Sequence, residues 1–254
     1  MAVPTKIFII PYRNREQHKI HFDVVMKYVL EDIPKHEYEI FFVHQQDNKP
    51  FNRGAMKNIG FLAMKDKYPQ HYKNITFIFN DIDTVPCRKN LLNYNTSVGT
   101  VKHYYGFNFA LGGIFSIKGS DFEKSRGFPN NWGWGLEDNT INKRVVTAGI
   151  KIDRSVFFPL LNHNIIHVTD GMTRMLAKEE VWHHVEESFD TFHDIKNLVY
   201  KIENEFVQVK SFTTKFSHNE RTYYLPTQHT HIEKDKRYVP KNSMAHRFGK
   251  LHFV

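Results

Sequence analysis

Ile75-Thr76-Phe77-Ile78-Phe79-Asn80-Asp81-Ile82-Asp83 is the stretch whose reading organises the rest of the chain. Four of its first five residues are apolar and favour extended backbone, the pattern of a short strand buried on both faces. It then breaks off at a polar edge. Lys6-Ile7-Phe8-Ile9-Ile10-Pro11 has the same character and is stopped by a proline, which has no N–H to give to a ladder. Tyr38-Glu39-Ile40-Phe41-Phe42-Val43 is another such run. Residues 15–31 lie between the first two runs with helical spacing, Ile20, Val24 and Tyr28 sharing one face. Ala55, Ile59 and Leu62 share a face of a second helix, which Asn52 is suited to cap. Strand, helix, strand, helix, strand predicts an α/β domain with a mostly parallel central sheet flanked by helices. Ligands of such sheets collect beyond the carboxyl ends of the strands. Tyr12-Arg13-Asn14-Arg15 and Asp81-Ile82-Asp83 both fall there.

Further along, residues 127–136 are rich in glycine and tryptophan, a composition that suits a lid carrying stacking surfaces better than a core. A helix is expected from about Glu137, a β-rich segment over 156–168 with His163 and His167, a helix over 177–197, and a terminal strand pair over 198–216. From about His218 the chain is polar and aperiodic. This predicts one domain over residues 1–216, with an extension over 217–254 packed on it.

With 41% hydrophobic and 15% aromatic residues in 254, the chain has ample material for a core, which excludes disorder as the default. Cys87 is the sole cysteine, so an intrachain disulfide and a cysteine-based zinc site are both excluded. That usage fits a reducing, intracellular setting. No apolar run approaches the ~20 residues of a membrane span, and the N-terminus lacks a signal-peptide pattern, so the chain reads as soluble. The net charge of +8 suits either nucleic acid or anionic small molecules such as nucleotide diphosphates. The basic residues are scattered and no nucleic-acid-binding signature is present, which disfavours the first.

Three constellations carry chemistry. Asp81 and Asp83, two apart on an extended chain, would point the same way and repel each other unless a cation sits between or beside them. Hard divalent ions take such oxygens and share their other positions with phosphates. The same residues also suit an Asx turn that merely ends a strand. Arg13 and Arg15 would place two phosphate-binding guanidiniums on one side, although as an isolated pair they read equally as surface charge. Glu137 and Asp138 stand at a helix start, where the dipole both favours caps and keeps a carboxylate ionised, as a general base requires.

Taken in order, Pro11-Tyr12-Arg13-Asn14-Arg15, Phe51-Asn52-Arg53, Asp81-Ile82-Asp83, Gly112-Gly113, Gly127-Phe128-Pro129-Asn130-Asn131 with Trp132-Gly133-Trp134-Gly135, Glu137-Asp138 and His167 resemble the β-1,4-galactosyltransferase family. That is glycosyltransferase family 7, inverting enzymes with a GT-A fold. The resemblance covers roughly residues 6–216. It implies transfer of a sugar from a UDP-sugar donor to a hydroxyl of a glycan or glycoconjugate acceptor. It implies Arg13, Arg15, Phe51, Arg53, Asp81, Ile82, Gly113 and Trp134 as donor-binding residues, with Trp134 on a closing loop. Asp138 would be the catalytic base and Glu137 would grip a sugar. Asp83 and His167 would ligate Mn²⁺, with Mg²⁺ as the alternative ion. The third protein ligand stays open between Asn164, favoured by register, and His163, favoured by chemistry.

Departures from the family pattern bear on specificity. Ala110 stands where the vertebrate galactosyltransferases have a tyrosine that crowds the donor's C2 group, so galactose or N-acetylgalactosamine is expected as the transferred sugar. Leu136 replaces a glycine and Asn139 an acidic residue. Glu179, Glu180 and His183 fall where the family has its acetamide pocket. The family's membrane anchor, stem and disulfides are missing from the sequence, which points to a cytosolic or viral-type enzyme or an excised catalytic domain. The competing expectations are a non-catalytic sugar-nucleotide or glycan-binding relative and a basic nucleic-acid-binding protein.

Overall fold

The computed structural model describes residues 3–133, 135–169, 176–177, 190–215 and 223–224. In chain order its elements are β1 (Lys6–Tyr12), α1 (Glu16–Val29), β2 (Tyr38–Gln45), α2 (Arg53–Lys67), β3 (Thr76–Asn80), β4 (Thr84–Pro86), β5 (Thr100–Gly106), β6 (Ile114–Lys118), α3 (Gly119–Ser125), α4 (Glu137–Thr147), β7 (Lys151–Asp153), β8 (Phe158–Pro159), β9 (Ile165–His167), β10 (Leu176–Ala177), β11 (Lys196–Glu203), β12 (Phe206–Thr213) and β13 (Tyr223–Tyr224). Nine strands form one sheet in the order β11-β12-β2-β1-β3-β6-β5-β7, with β8 beside β5. The β12-β2-β1-β3 core of the sheet is parallel, and β6 and β11 run antiparallel to their neighbours.

Period-two alternation on β1 explains why its sequence is apolar throughout. Ile7 and Ile9 enter the core on the α2 side, with Phe41, Ile59, Phe77 and Phe79. Phe8 and Ile10 enter the opposite core, with Phe22, Met26, Phe42 and Ile78 from α1, β2 and β3. A strand covered on both faces has no polar side. The strand runs past Pro11 to Tyr12, because Pro11 pairs only with Val43 of β2, and β3 already ends its pairing at Ile9.

Three readings need correction. α1 forms where helical spacing predicted it, but buries His18, Phe22, Met26 and Val29, while Ile20, Val24 and Tyr28 are 66%, 66% and 49% exposed. Apolar residues lie on two stripes of this helix, and packing against β2 and β4 chooses between them. Of the helix expected over 177–197, residues 178–189 lie outside the described residues, and the remainder departs from it. Phe192–Asp194 is a single 3₁₀ turn, after which Lys196 opens β11. The lid expected over 127–136 is core-packed in its first half. Trp132 is 2% exposed, stacks on Phe212 with ring centroids 5.1 Å apart, and donates to Thr214 Oγ1. Asn58 holds the same segment by accepting from Phe128 N–H and donating to Phe128 O and Asn130 Oδ1. Trp134, Glu179, Glu180 and His183 lie outside the described residues, as does the extension from residue 217 except for Tyr223–Tyr224. Among the described residues no helix is long and apolar enough to cross a membrane.

Candidate active site

β3 delivers the aspartate motif to the carboxyl edge of the sheet, but the backbone there is a turn rather than an extension of the strand. The Asp81 carbonyl accepts from the Thr84 N–H and hydroxyl. The turn sends the two carboxylates to different partners, in place of the shared orientation expected of an extended chain. Asp81 Oδ1 and Oδ2 receive Arg53 Nε at 3.1 Å and a terminal guanidinium nitrogen at 2.6 Å, and Asp81 Oδ1 lies 3.3 Å from Lys57 Nζ. Asp83 faces His167.

Arg53 opens α2, behind Asn52, whose side chain caps the helix by accepting from Ala55 N–H. Its guanidinium also reaches Glu137 Oε1 at 2.5 Å and Asp138 Oδ2 at 3.0 Å. Three carboxylates therefore converge on one arginine. Burial works against the charge on Arg53, yet Asp138, Asp81 and Glu137 outweigh it and hold the guanidinium firmly protonated. Burial likewise disfavours ionised Asp81, but Arg53 and Lys57 hold it well below the usual carboxylate range. For Asp138 burial prevails over the same two cations and keeps the carboxyl above its ordinary value. Two carboxylates on one arginine are thus pushed apart, one a fixed anion and the other ready to take a proton.

Asp138 depends on glycine. A Cβ on Gly112 would stand 2.5 Å from Asp138 Oδ2, and a Cβ on Gly113, at φ +64°, would collide with the Tyr105 carbonyl. Leu111 N–H binds the Asp138 carbonyl and Asp81 N–H binds that of Gly113, which ties α4 and the β3 turn to this loop. Behind it His103 Nε2 donates to the Tyr105 and Gly112 carbonyls, while Nδ1 accepts from Arg154 Nε. Burial, then the Arg154 charge, push the His103 pKa down to about 4, so the ring is neutral. Leu136, at φ +65°, stands immediately before Glu137 in a left-handed conformation that glycine adopts without penalty.

Asp83 and His167 come together because β4 and β9 pair antiparallel with Thr84 opposite His167, and Val168 N–H binds the Asp83 carbonyl. Asp83 Oδ2 and His167 Nε2 are 3.9 Å apart, within the span of two bonds of about 2.1 Å to one ion. The Tyr105 hydroxyl, 3.0 Å from His167 Nδ1, fixes the ring so that Nε2 faces the aspartate, the outer contact that orients metal-ligating histidines. A carboxylate with an imidazole fits a divalent transition ion such as Mn²⁺ better than Mg²⁺. Among the described residues no third His, Cys, Asp or Glu completes a cluster. His163 is exposed, and the Asn164 amide donates to Asn162 Oδ1.

The other expected donor residues are positioned separately. Arg13 donates to the Lys49 carbonyl, and an Arg15 guanidinium nitrogen lies 3.4 Å from His18 Nε2. The Phe51 carbonyl accepts from Gly133 N–H and Ile82 is buried. Sequence reading passed over Lys57, Asn58, His103 and Tyr105. The signal for Lys57 was its place one helical turn after Arg53.

A family model described as the N-terminal region of glycosyl transferase group 7 matches residues 2–95, and one described as the N-terminal domain of galactosyltransferase matches residues 94–167. The chain belongs to glycosyltransferase group 7. Human β-1,4-galactosyltransferase 4 is 33% identical over 172 residues, covering 60% of this chain and 46% of that protein. Human β-1,4-galactosyltransferase 1 is 32% identical over 162 residues, covering 59% and 39%. The group 7 chain thus spans less than half the length of these relatives. The catalytic domain of Drosophila β-1,4-galactosyltransferase 7, solved with xylobiose, superposes with a TM-score of 0.66 at 19% identity over 85% of this chain and 96% of that one. An aspartate-to-asparagine mutant of the same Drosophila enzyme, solved in complex with manganese, UDP-Gal and xylobiose, gives 0.63 at 20% identity with the same coverage. The fold of this group 7 chain is that of GT-A glycosyltransferases.

Proposed function

We propose that the chain is an inverting glycosyltransferase that moves a hexose or N-acetylhexosamine, galactose or N-acetylgalactosamine, from a UDP-sugar to a hydroxyl of a glycan acceptor. The observation that carries this is the Asp138 carboxyl, 22% exposed, held above its ordinary pKa by burial and seated where Gly112 leaves room for it. A base of raised proton affinity that acceptors can still reach suits proton removal from an attacking hydroxyl. Attack from the face opposite the diphosphate inverts the anomeric carbon. Arg13, Arg15 and Arg53 hold the diphosphate, and Glu137 and Asp81 orient the sugar. Asp83 and His167 would hold Mn²⁺, which when bound neutralises charge on the leaving diphosphate. The manganese, UDP-Gal and xylobiose of the Drosophila neighbour agree with this choice of ion, donor and acceptor class.

Asp138→Asn tests the reading. Release of UDP from the donor should fall at least about a hundredfold, while UDP affinity measured by calorimetry stays unchanged. Loss of UDP affinity in step with activity would place Asp138 in donor binding instead. A donor panel tests the sugar: Ala110 is buried and small, so UDP-N-acetylgalactosamine should serve alongside or in place of UDP-galactose. Activity with UDP-galactose only would reject that part.

A further inference from the structure

Lys57 is the most deeply buried charge of the cluster, its side chain 1% exposed against 15% for Arg53 and 22% for Asp138. A lysine is almost never withdrawn from water to this degree unless it is paired. Here Nζ lies 3.3 Å from Asp81 Oδ1, 3.5 Å from Asp138 Oδ1 and 4.8 Å over the Phe128 ring. Packing alone does not call for the charge, because methionine would fill the same space against Phe128. What methionine would not supply is a cation for Asp81 and Asp138, which would then have Arg53 alone.

Arg53 and Lys57 take different oxygens of Asp138, the arginine Oδ2 at 3.0 Å and the lysine Oδ1. They also differ in freedom. The guanidinium is the more exposed of the two and is the group that a diphosphate would draw away. The lysine stem is enclosed and its head has nowhere else to go. We infer that Lys57 is a positioning residue that keeps the Asp138 carboxylate oriented and charged once Arg53 engages the donor's diphosphate. The inference rests on the proposed reading of Asp138 as the base.

The groups facing Asp138 are Arg53 and Lys57 from α2, Glu137 beside it on α4, Asp81 from the end of β3 and neutral His103 from β5. The two neighbouring carboxylates favour a proton on Asp138 and the two cations oppose it. Removing Lys57 therefore shifts Asp138 toward protonation. The test is steady-state UDP release by the full chain, wild type and Lys57→Met, with a UDP-sugar that the wild type uses, from about pH 5 to 9. Lys57→Met should lower kcat about tenfold or more at neutral pH, with donor KM and UDP affinity within about twofold. The acidic limb of kcat should move to higher pH, so that the deficit narrows as pH rises.

An unchanged kcat and limb would overturn the inference, as would a loss of UDP affinity in step with kcat. Lys57→Gln, which is neutral but keeps a donor, should behave likewise. Failure of both variants to fold would make Lys57 a structural cation and also overturn it. A wild type that releases no UDP from any donor brings down the reading of Asp138, whereas an active wild type with an indifferent Lys57→Met brings down this inference only.

Discussion

Around Arg53, two cations and three carboxylates are joined by five ion pairs of 2.5 to 3.5 Å, whereas Asp83 and His167 face each other across 3.9 Å. The first group lies between α2, α4 and the end of β3, each anchored in the sheet's cores. The second hangs on β4 and β9, strands of three residues in a separate two-stranded sheet. Opposite charges that satisfy each other assemble a site in advance of any ligand, and withdrawing one of them leaves the others buried without compensation. A carboxylate beside an imidazole gains little by itself. If that pair holds the proposed metal ion, its stabilisation will depend on the ion's concentration.

The sharpest way to break this contrast is Arg53→Met, which takes the cation from Glu137 and leaves Asp81 and Asp138 with Lys57 alone. It should cost about 3–5 kcal/mol, read by denaturant titration and as a drop of roughly 10 °C in Tm. A loss below about 1 kcal/mol would mean that the cluster is not preassembled. Next in size comes Asp190, a buried carboxylate outside both groups. It accepts from Asn130 Nδ2, and burial pushes its pKa up from 3.8 to about 6. Because the folded chain holds this proton more tightly than the unfolded one, stability should fall as pH rises from about 4 to about 6. Asp190→Asn should flatten that slope and recover up to about 3 kcal/mol at neutral pH. A slope that survives the substitution would assign it to other groups.

Asp83→Asn and His167→Ala should change stability by under about 1 kcal/mol in metal-free buffer, yet abolish the rise in Tm that saturating Mn²⁺ gives the wild type. Manganese stabilisation that persists in both variants would move the ion elsewhere. The smallest effects are expected on the exposed face of α1. Ile20→Lys and Val24→Lys should stay within about 0.5 kcal/mol, while Phe22→Ala costs about 3–5 kcal/mol. Reversal of that order would restore the helix face read from spacing.

The elements themselves were legible because they rest on local rules. β1, β2 and β3 are continuous apolar runs, Asn52 caps α2 through its own side chain, and Glu137 opens α4, all readable from adjacent residues. The candidate site residues were singled out for another reason: motif order matched a family, and the aspartates and arginines fell at strand ends. What escaped was every choice between locally equivalent options. Helix α1 carries two stripes with apolar residues, and the positions of β2 and β4 select Phe22 over Ile20. Trp132 reads like lid material until Phe212, eighty residues away, supplies a stacking partner.

By itself the sequence determined an α/β sheet with helices, the places where its strands end, and the acids and bases gathered there, because these follow from periodicity and residue chemistry within a few positions. Only the tertiary structure decided that Asp81 turns to Arg53 while Asp83 turns to His167, and that Lys57 joins the charges beneath Asp138. Those pairings span 28, 84 and 81 positions along the chain, and the free energy of a charge is set by its neighbours in space.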